Sequence, residues 1–113
     1  MTADSKDKQP QVITSADGKL QIIHNRSYVD RFGCYCVEGA VRNISRDSTL
    51  NARIKIDYFD VNMKQIDTEI DATVRNLKPG VTVAFHTMYS GKRRGEIQYY
   101  HIHLANAAAL SIS

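Results

Sequence analysis

Val37-Glu38-Gly39-Ala40-Val41-Arg42-Asn43-Ile44-Ser45, then Ile56-Asp57-Tyr58-Phe59-Asp60, then Asn76-Leu77-Lys78-Pro79-Gly80-Val81-Thr82-Val83-Ala84-Phe85 are the runs whose reading decides the fold. Each is a short stretch in which apolar and polar residues alternate, and each is bounded by turn-forming residues. Alternation of period two places successive side chains on opposite faces of a strand. In the first run Tyr35, Val37 and Val41 share one face, and Cys34, Cys36, Glu38 and Arg42 share the other. Gly39 lies in the middle. A glycine inside a strand signals a bulge or a large ring packed closely over the backbone.

The pattern continues outward in both directions. Leu50, Ala52, Ile54, Ile56 and Tyr58 fall on one face of a strand, with Asn51, Arg53, Lys55 and Asp57 on the other. This is the signature of a half-buried antiparallel strand. Asp60 to Lys64 supply a turn. From Gln65 to Ala72, Ile66, Thr68 and Ile70 alternate with Asp67, Glu69 and Asp71, a carboxylate row read as a solvated face that discourages edge pairing. In Leu77-Lys78-Pro79-Gly80, Pro79 presets φ for the second position of a turn and Gly80 tolerates positive φ at the third. Ser90 to Gly95 reads as a hairpin loop between the strand that starts at Val81 and a last strand over 96–105. In that strand Tyr100, Ile102 and Leu104 share one face, and Tyr99, His101 and His103 the other. Upstream, Asp17-Gly18 turns Val12-Ile13 back onto Leu20 to Ile23. Ala107 to Leu110 reads as a short helical turn or a fraying end. The expected fold is all-β, an immunoglobulin-like antiparallel β-sandwich of about seven strands; a small open barrel is the alternative.

Length and composition bound the rest. The chain has 113 residues, enough for one domain. Residues 1–15 are polar and read as a flexible N-terminal tail, with a single β-sandwich domain over 16–113. A chain of this size buries roughly 65% of its unfolded surface, so it needs no disulfide or metal to fold. The formal net charge is +3, with Lys and Arg interspersed among Asp and Glu except at Lys92-Arg93-Arg94. A nucleic-acid binder carries a broader basic face, and none is expected as a partner. No run approaches the ~20 apolar residues of a membrane-spanning helix. The start, Met1 to Gln11, lacks the apolar core of a signal peptide. Either the protein is cytoplasmic, or the chain is a trimmed piece of an exported one.

Those residues also carry a family likeness. Val37, Gly39, Val41 and Asn43 form a V-x-G-x-V-x-N strand, Ile56, Tyr58, Phe59 and Asp60 stand at a naming motif, and Leu77, Pro79 and Gly80 close an L-x-P-G turn followed by Phe85. In this the chain resembles the FxLYD domain, a small prokaryotic domain with an immunoglobulin-like sandwich fold. The resemblance covers somewhat under half of the chain, and only the Asp of the naming motif is identical. It implies a fold, no catalytic residues, and a cell-envelope or extracytoplasmic home.

The chemistry-bearing residues are few. Cys34 and Cys36 lie two apart on a strand, so their Cα atoms stand roughly 6.5 Å apart and their Cβ atoms about as far, beyond disulfide reach. Buried free thiols are the simpler reading. His101-x-His103 puts two imidazoles on one face, with His86 on the preceding strand. With His86 or the two cysteines as further ligands, this is a candidate Zn or Cu site. Lys92, Arg93 and Arg94 at a loop tip, with Tyr89 and Tyr99 nearby, form the candidate contact surface. No nucleophile elbow or triad setting is present. The expected function is a non-enzymatic sandwich module with no cofactor, for protein–protein interaction or structural display. Its partner is another protein, or a second copy added at a sheet edge. The alternative is a metal-binding domain with a His/Cys cluster on one sheet face.

Overall fold

The computed structural model describes residues 12–106, and the reading of Ala107 to Leu110 lies outside them, as does most of the expected tail. Seven strands follow in order: β1 (Ile13–Thr14), β2 (Leu20–Val29), β3 (Tyr35–Asn43), β4 (Leu50–Phe59), β5 (Gln65–Leu77), β6 (Thr82–Tyr89) and β7 (Tyr99–Asn106). They form two antiparallel sheets, β1-β2-β3-β6 and β5-β4-β7. β3 beside β6 and β4 beside β7 are the B–E and C–F pairings of an immunoglobulin sandwich. The end of the expected tail, Ile13 to Ser15, is built into the first sheet: Ile13 pairs with Ile22 and Thr14 with Gln21. Among the described residues no helix is long and apolar enough to cross a membrane.

The alternating residues meet between the sheets. Leu20 and Ile22 of β2, Val37 and Val41 of β3, and Ala52, Ile54 and Ile56 of β4 have no exposed surface. Full burial of each larger aliphatic side chain contributes about 1.5–3 kcal/mol. One end of the core is aromatic. Tyr58, on the strand where antibody domains bury a Trp, packs 4.8 Å from Tyr89 and edge-on at 5.7 Å to Tyr35. Tyr100 meets Tyr35 at 6.3 Å.

Gly39 answers to both expectations for it. β2 bulges close by, between Ile22 and His24, which face Val41 and Ala40, while Gly39 itself pairs with Asn25. A Cβ at Gly39 would sit 2.3 Å from the His24 carbonyl oxygen and 3.0 Å from the Phe85 ring. Asn43 is fully buried at the end of β3. Its amide donates to the carbonyls of Ser48 and Leu77 at 2.7 Å each, and its oxygen accepts from the Ser45 N–H at 2.9 Å. One side chain thus joins the β3–β4 loop to the end of β5. The Lys78–Val81 turn closes at 3.0 Å with Gly80 at φ 81, and its Gly80 N–H donates to Asn43 O at 2.8 Å.

The Ser90–Gly95 segment is not a hairpin. β6 pairs with β3 in one sheet and β7 with β4 in the other, so the connection crosses between layers. It does so through a 3-10 turn at Arg94–Glu96, with Ile97 buried behind it. Gly91 is needed there for space rather than for turning, because a Cβ would lie 2.2 Å from the Tyr89 hydroxyl.

Candidate functional site

Two surfaces hold the residues of interest. The first is the sandwich end where the β2–β3, β4–β5 and β6–β7 connections converge. The β2–β3 and β4–β5 turns share one construction. In each, an Asp leads a tight turn: the Asp30 carboxylate accepts from the N–H groups of Phe32 and Cys34, and the Asp60 carboxylate from those of Asn62 and Lys64. The fourth residue takes positive φ, 82° at Gly33 and 64° at Met63. Asx capping of this kind leaves the intervening side chains pointing outward. Phe32 is 74% exposed, Val61 66%, Met63 60% and Tyr99 47%. Hydrogen bonds to Lys64 and Asn62 N–H, the first the largest influence, hold the Asp60 carboxyl below its ordinary range.

The basic run is divided by this geometry. Lys92 and Arg93 are exposed. Arg93 donates to Glu96 at 2.7 and 3.0 Å and stands 4.0 Å from Asp60. Arg94 turns inward, half-buried, donating to Gly91 O at 3.2 Å and lying against Gly33. Tyr89, placed at the contact surface by the sequence reading, is instead a core residue, because Phe85, Thr87 and Tyr89 are the inward residues of β6. Its hydroxyl reaches the rim and donates to Asp67 at 2.7 Å.

The second surface is the outer face of the β5-β4-β7 sheet. Asp57 of β4 pairs with His101 of β7, and Lys55 with His103. His103 Nε2 lies 2.7 Å from Asp57 Oδ2 and 3.2 Å from His101 Nδ1. The two rings meet edge-on at 4.4 Å. Potential ligand atoms of all three residues lie within 4.8 Å of one another. The other Asp57 oxygen accepts from the Thr68 hydroxyl in a short hydrogen bond, and from Gln65 at 3.4 Å. Partial burial pushes the Asp57 carboxyl up, but the hydrogen bonds from Thr68 and His103 outweigh it and hold the group below its ordinary value.

The other proposed ligands are elsewhere. His86 is on β6, in the opposite sheet, where its Nε2 is 2.8 Å from the Tyr28 hydroxyl. Cys36 pairs with Tyr28 and Met88 on the outer face of that same sheet, and Cys34 enters it from the loop. Both thiols are free, and burial pushes the Cys36 thiol up. A His86/Cys34/Cys36/His101/His103 cluster is therefore corrected: outward residues of opposite sheets are separated by the full thickness of the sandwich, two layers about 10 Å apart. Sequence reasoning missed Asp57 as a partner of the histidines. Alternation does put Asp57, His101 and His103 on outer faces, and pairing β4 with β7, as this fold requires, would have brought them together.

No protein-family model matches this chain. No curated protein matches it either. Among solved structures, the crystal structure of Campylobacter jejuni cj0090 is similar, with a TM-score of 0.51 and 12% identity over 74% of this chain and 82% of that one. At that identity the likeness concerns the fold alone.

Proposed function

We propose that this chain is a non-enzymatic β-sandwich binding module that meets a protein partner at the end where its three inter-sheet and hairpin connections converge. The observation that carries this is the exposure of Phe32, Val61, Met63 and Tyr99 at one end, beside the charged groups Arg31, Lys64, Lys92 and Arg93. Large apolar side chains held outward on short, hydrogen-bonded turns within a polar rim are the anatomy of an interaction patch. Of the cations there, Arg93 is paired with Glu96, and the exposed Lys92 at the loop tip suits a partner surface that is apolar with an acidic edge. Hydrogen-bond donors hold the carboxyls of Asp57, Asp60, Asp67 and Glu96 below their ordinary values, which does not suit them to act as general acids near neutrality. Membership of the FxLYD family and an envelope location belong to the same proposal, supported by the residues of the resemblance. So does edge pairing of two copies along β6, which is a sheet edge among the described residues.

A photo-crosslinking residue at position 32 or 63, with a control at Ile44 at the opposite end, tests the reading. Both loop positions are expected to label one and the same protein in the producing cell, and Ile44 none. Arg93→Glu is expected to weaken that labelling. Labelling that is absent, or equal from both ends, would overturn it.

A further inference from the structure

We infer that Asp57, His101 and His103 form a binding site for a divalent late-transition-metal ion of the zinc type, on the outer face of the β5-β4-β7 sheet. The inference is independent of the loop-end reading, which concerns other residues. It begins with hydrogen-bond accounting. A neutral imidazole offers one N–H and one lone pair, each in the ring plane. His103 Nε2 faces two partners at once, Asp57 Oδ2 at 2.7 Å and His101 Nδ1 at 3.2 Å. If it donates to Asp57 it has no lone pair left for His101. If it accepts from His101 it presents a lone pair to a carboxylate. A single N–H at His103 Nε2 serves both contacts only as a bifurcated bond, shared between Asp57 and the lone pair of His101 Nδ1, whereas a cation between the three meets a lone pair on each.

Two of the three spacings lie close to those of a metal site, and the third, Asp57 to His101, closes from as much as 4.8 Å as the exposed His101 ring turns inward. Zn–N and Zn–O bonds of about 2.0–2.2 Å place neighbouring ligand atoms of a tetrahedron about 3.3 Å apart. The two imidazole nitrogens already stand at 3.2 Å. The Asp57–His103 contact has to open by roughly half an ångström to reach that spacing. His103, whose side chain is 44% exposed, has room to turn, while Asp57 is only 13% exposed and fixed. Thr68 and Gln65 hold the far Asp57 oxygen, the outer-shell support that orients a ligating carboxylate. Two imidazoles and one carboxylate suit Zn2+, Cu2+ or Ni2+ rather than Ca2+ or Mg2+, which take oxygen ligands. The fourth position faces solvent. Lys55 opposes the ion, since it pairs directly with His103.

Calorimetric titration of the untagged protein with ZnCl2, alongside thermal unfolding with and without the metal, tests the inference. One ion per chain and a rise in Tm are expected. His101→Ala and His103→Ala are expected to abolish both effects, and His86→Ala and Cys36→Ser to leave them intact. Thr68→Val is expected to weaken binding about tenfold, and Lys55→Ala to tighten it. Asp57→Asn also disturbs the β4–β5 contact, so the two histidine variants decide the matter. Zinc binding that survives their combination, or no saturable binding at large metal excess, would overturn the proposal.

Discussion

Gly39 shows how much one residue sets here. Its backbone lies between the bulged segment of β2 and the Phe85 ring, and a methyl group would meet the His24 carbonyl at 2.3 Å. A backbone atom cannot rotate away as a side chain can. Gly39→Ala is therefore expected to destabilise by about 2 kcal/mol, overpacking outweighing the entropy that alanine saves in the unfolded chain. The measurement is the urea midpoint, and an unchanged midpoint would contradict the packing described. Asn43 is fixed by the opposite need. It is a buried polar group whose amide and oxygen both have partners, so each end of the side chain has a role that an apolar residue could not fill. Both residues belong to the V-x-G-x-V-x-N run, and the physical content of that run is a close approach at its Gly and a loop clamp at its Asn.

At the scale of elements, the hairpins repeat one solution. Ser15, Asp30 and Asp60 each head a turn in which their side chain accepts from backbone N–H groups, and a later residue takes positive φ: Gly18, Gly33 and Met63. Two of the three use glycine, for which that conformation is unstrained. Met63 bears the left-handed strain of an L side chain, about 1 kcal/mol. Met63→Gly is expected to raise stability by roughly 0.5–1 kcal/mol. Gly18→Ala, where a Cβ meets nothing within 4 Å, is expected to lower it by about 1 kcal/mol. Chemical denaturation of the two variants checks the pair, and a fall in stability for Met63→Gly would show that its side chain, not the turn, holds the loop. The turns at Asp17-Gly18, Asp60 to Lys64 and Pro79-Gly80 were legible from the sequence, whereas the Asp30–Gly33 turn was not read there. The β6–β7 connection was not legible, because Gly91 and Gly95 mimic a hairpin signal. Gly91 is small so that Tyr89 can lie over it, and that ring lies where it does only because of the core.

Across the whole molecule, five carboxyls are shifted in the same direction. Hydrogen bonds hold Asp17, Asp60, Asp67 and Glu96 below their ordinary values, and Asp57 is held there against the opposing effect of its burial. A carboxyl whose value is lower in the folded state stabilises the fold above its unfolded value, near 4, and loses that contribution as the pH falls through the folded value. Stability is therefore expected to hold from neutrality down to about pH 5 and to decline below about pH 4. Asp57→Asn should flatten part of that decline. On the alkaline side, burial first and the neighbouring Tyr35 second push Tyr100 up to about 12. Its contribution is present below the unfolded value near 10 and is lost between about 10 and 12. Denaturation midpoints across pH, with tyrosinate absorbance in the alkaline range, check both limbs. A midpoint that does not fall in acid would contradict the carboxylate network.

The sequence by itself determined most of the strands, which residues face inward and the chemistry of most turns, because alternation and turn propensity are local properties of the chain; β2, read only over Leu20 to Ile23, runs on to Val29 because it pairs with β3 along its length. It placed Leu50, Ala52, Ile54, Ile56 and Tyr58 in the interior, where all five are buried. Only the tertiary structure decided which outward faces share a sheet. Strand pairing is a long-range choice: it set β7 beside β4 and β6 beside β3, separating His86 from His101 and His103 and supplying Asp57 in its place. It also drew Tyr89 into the core and divided the basic run, since how a connecting segment travels depends on which layers it must join.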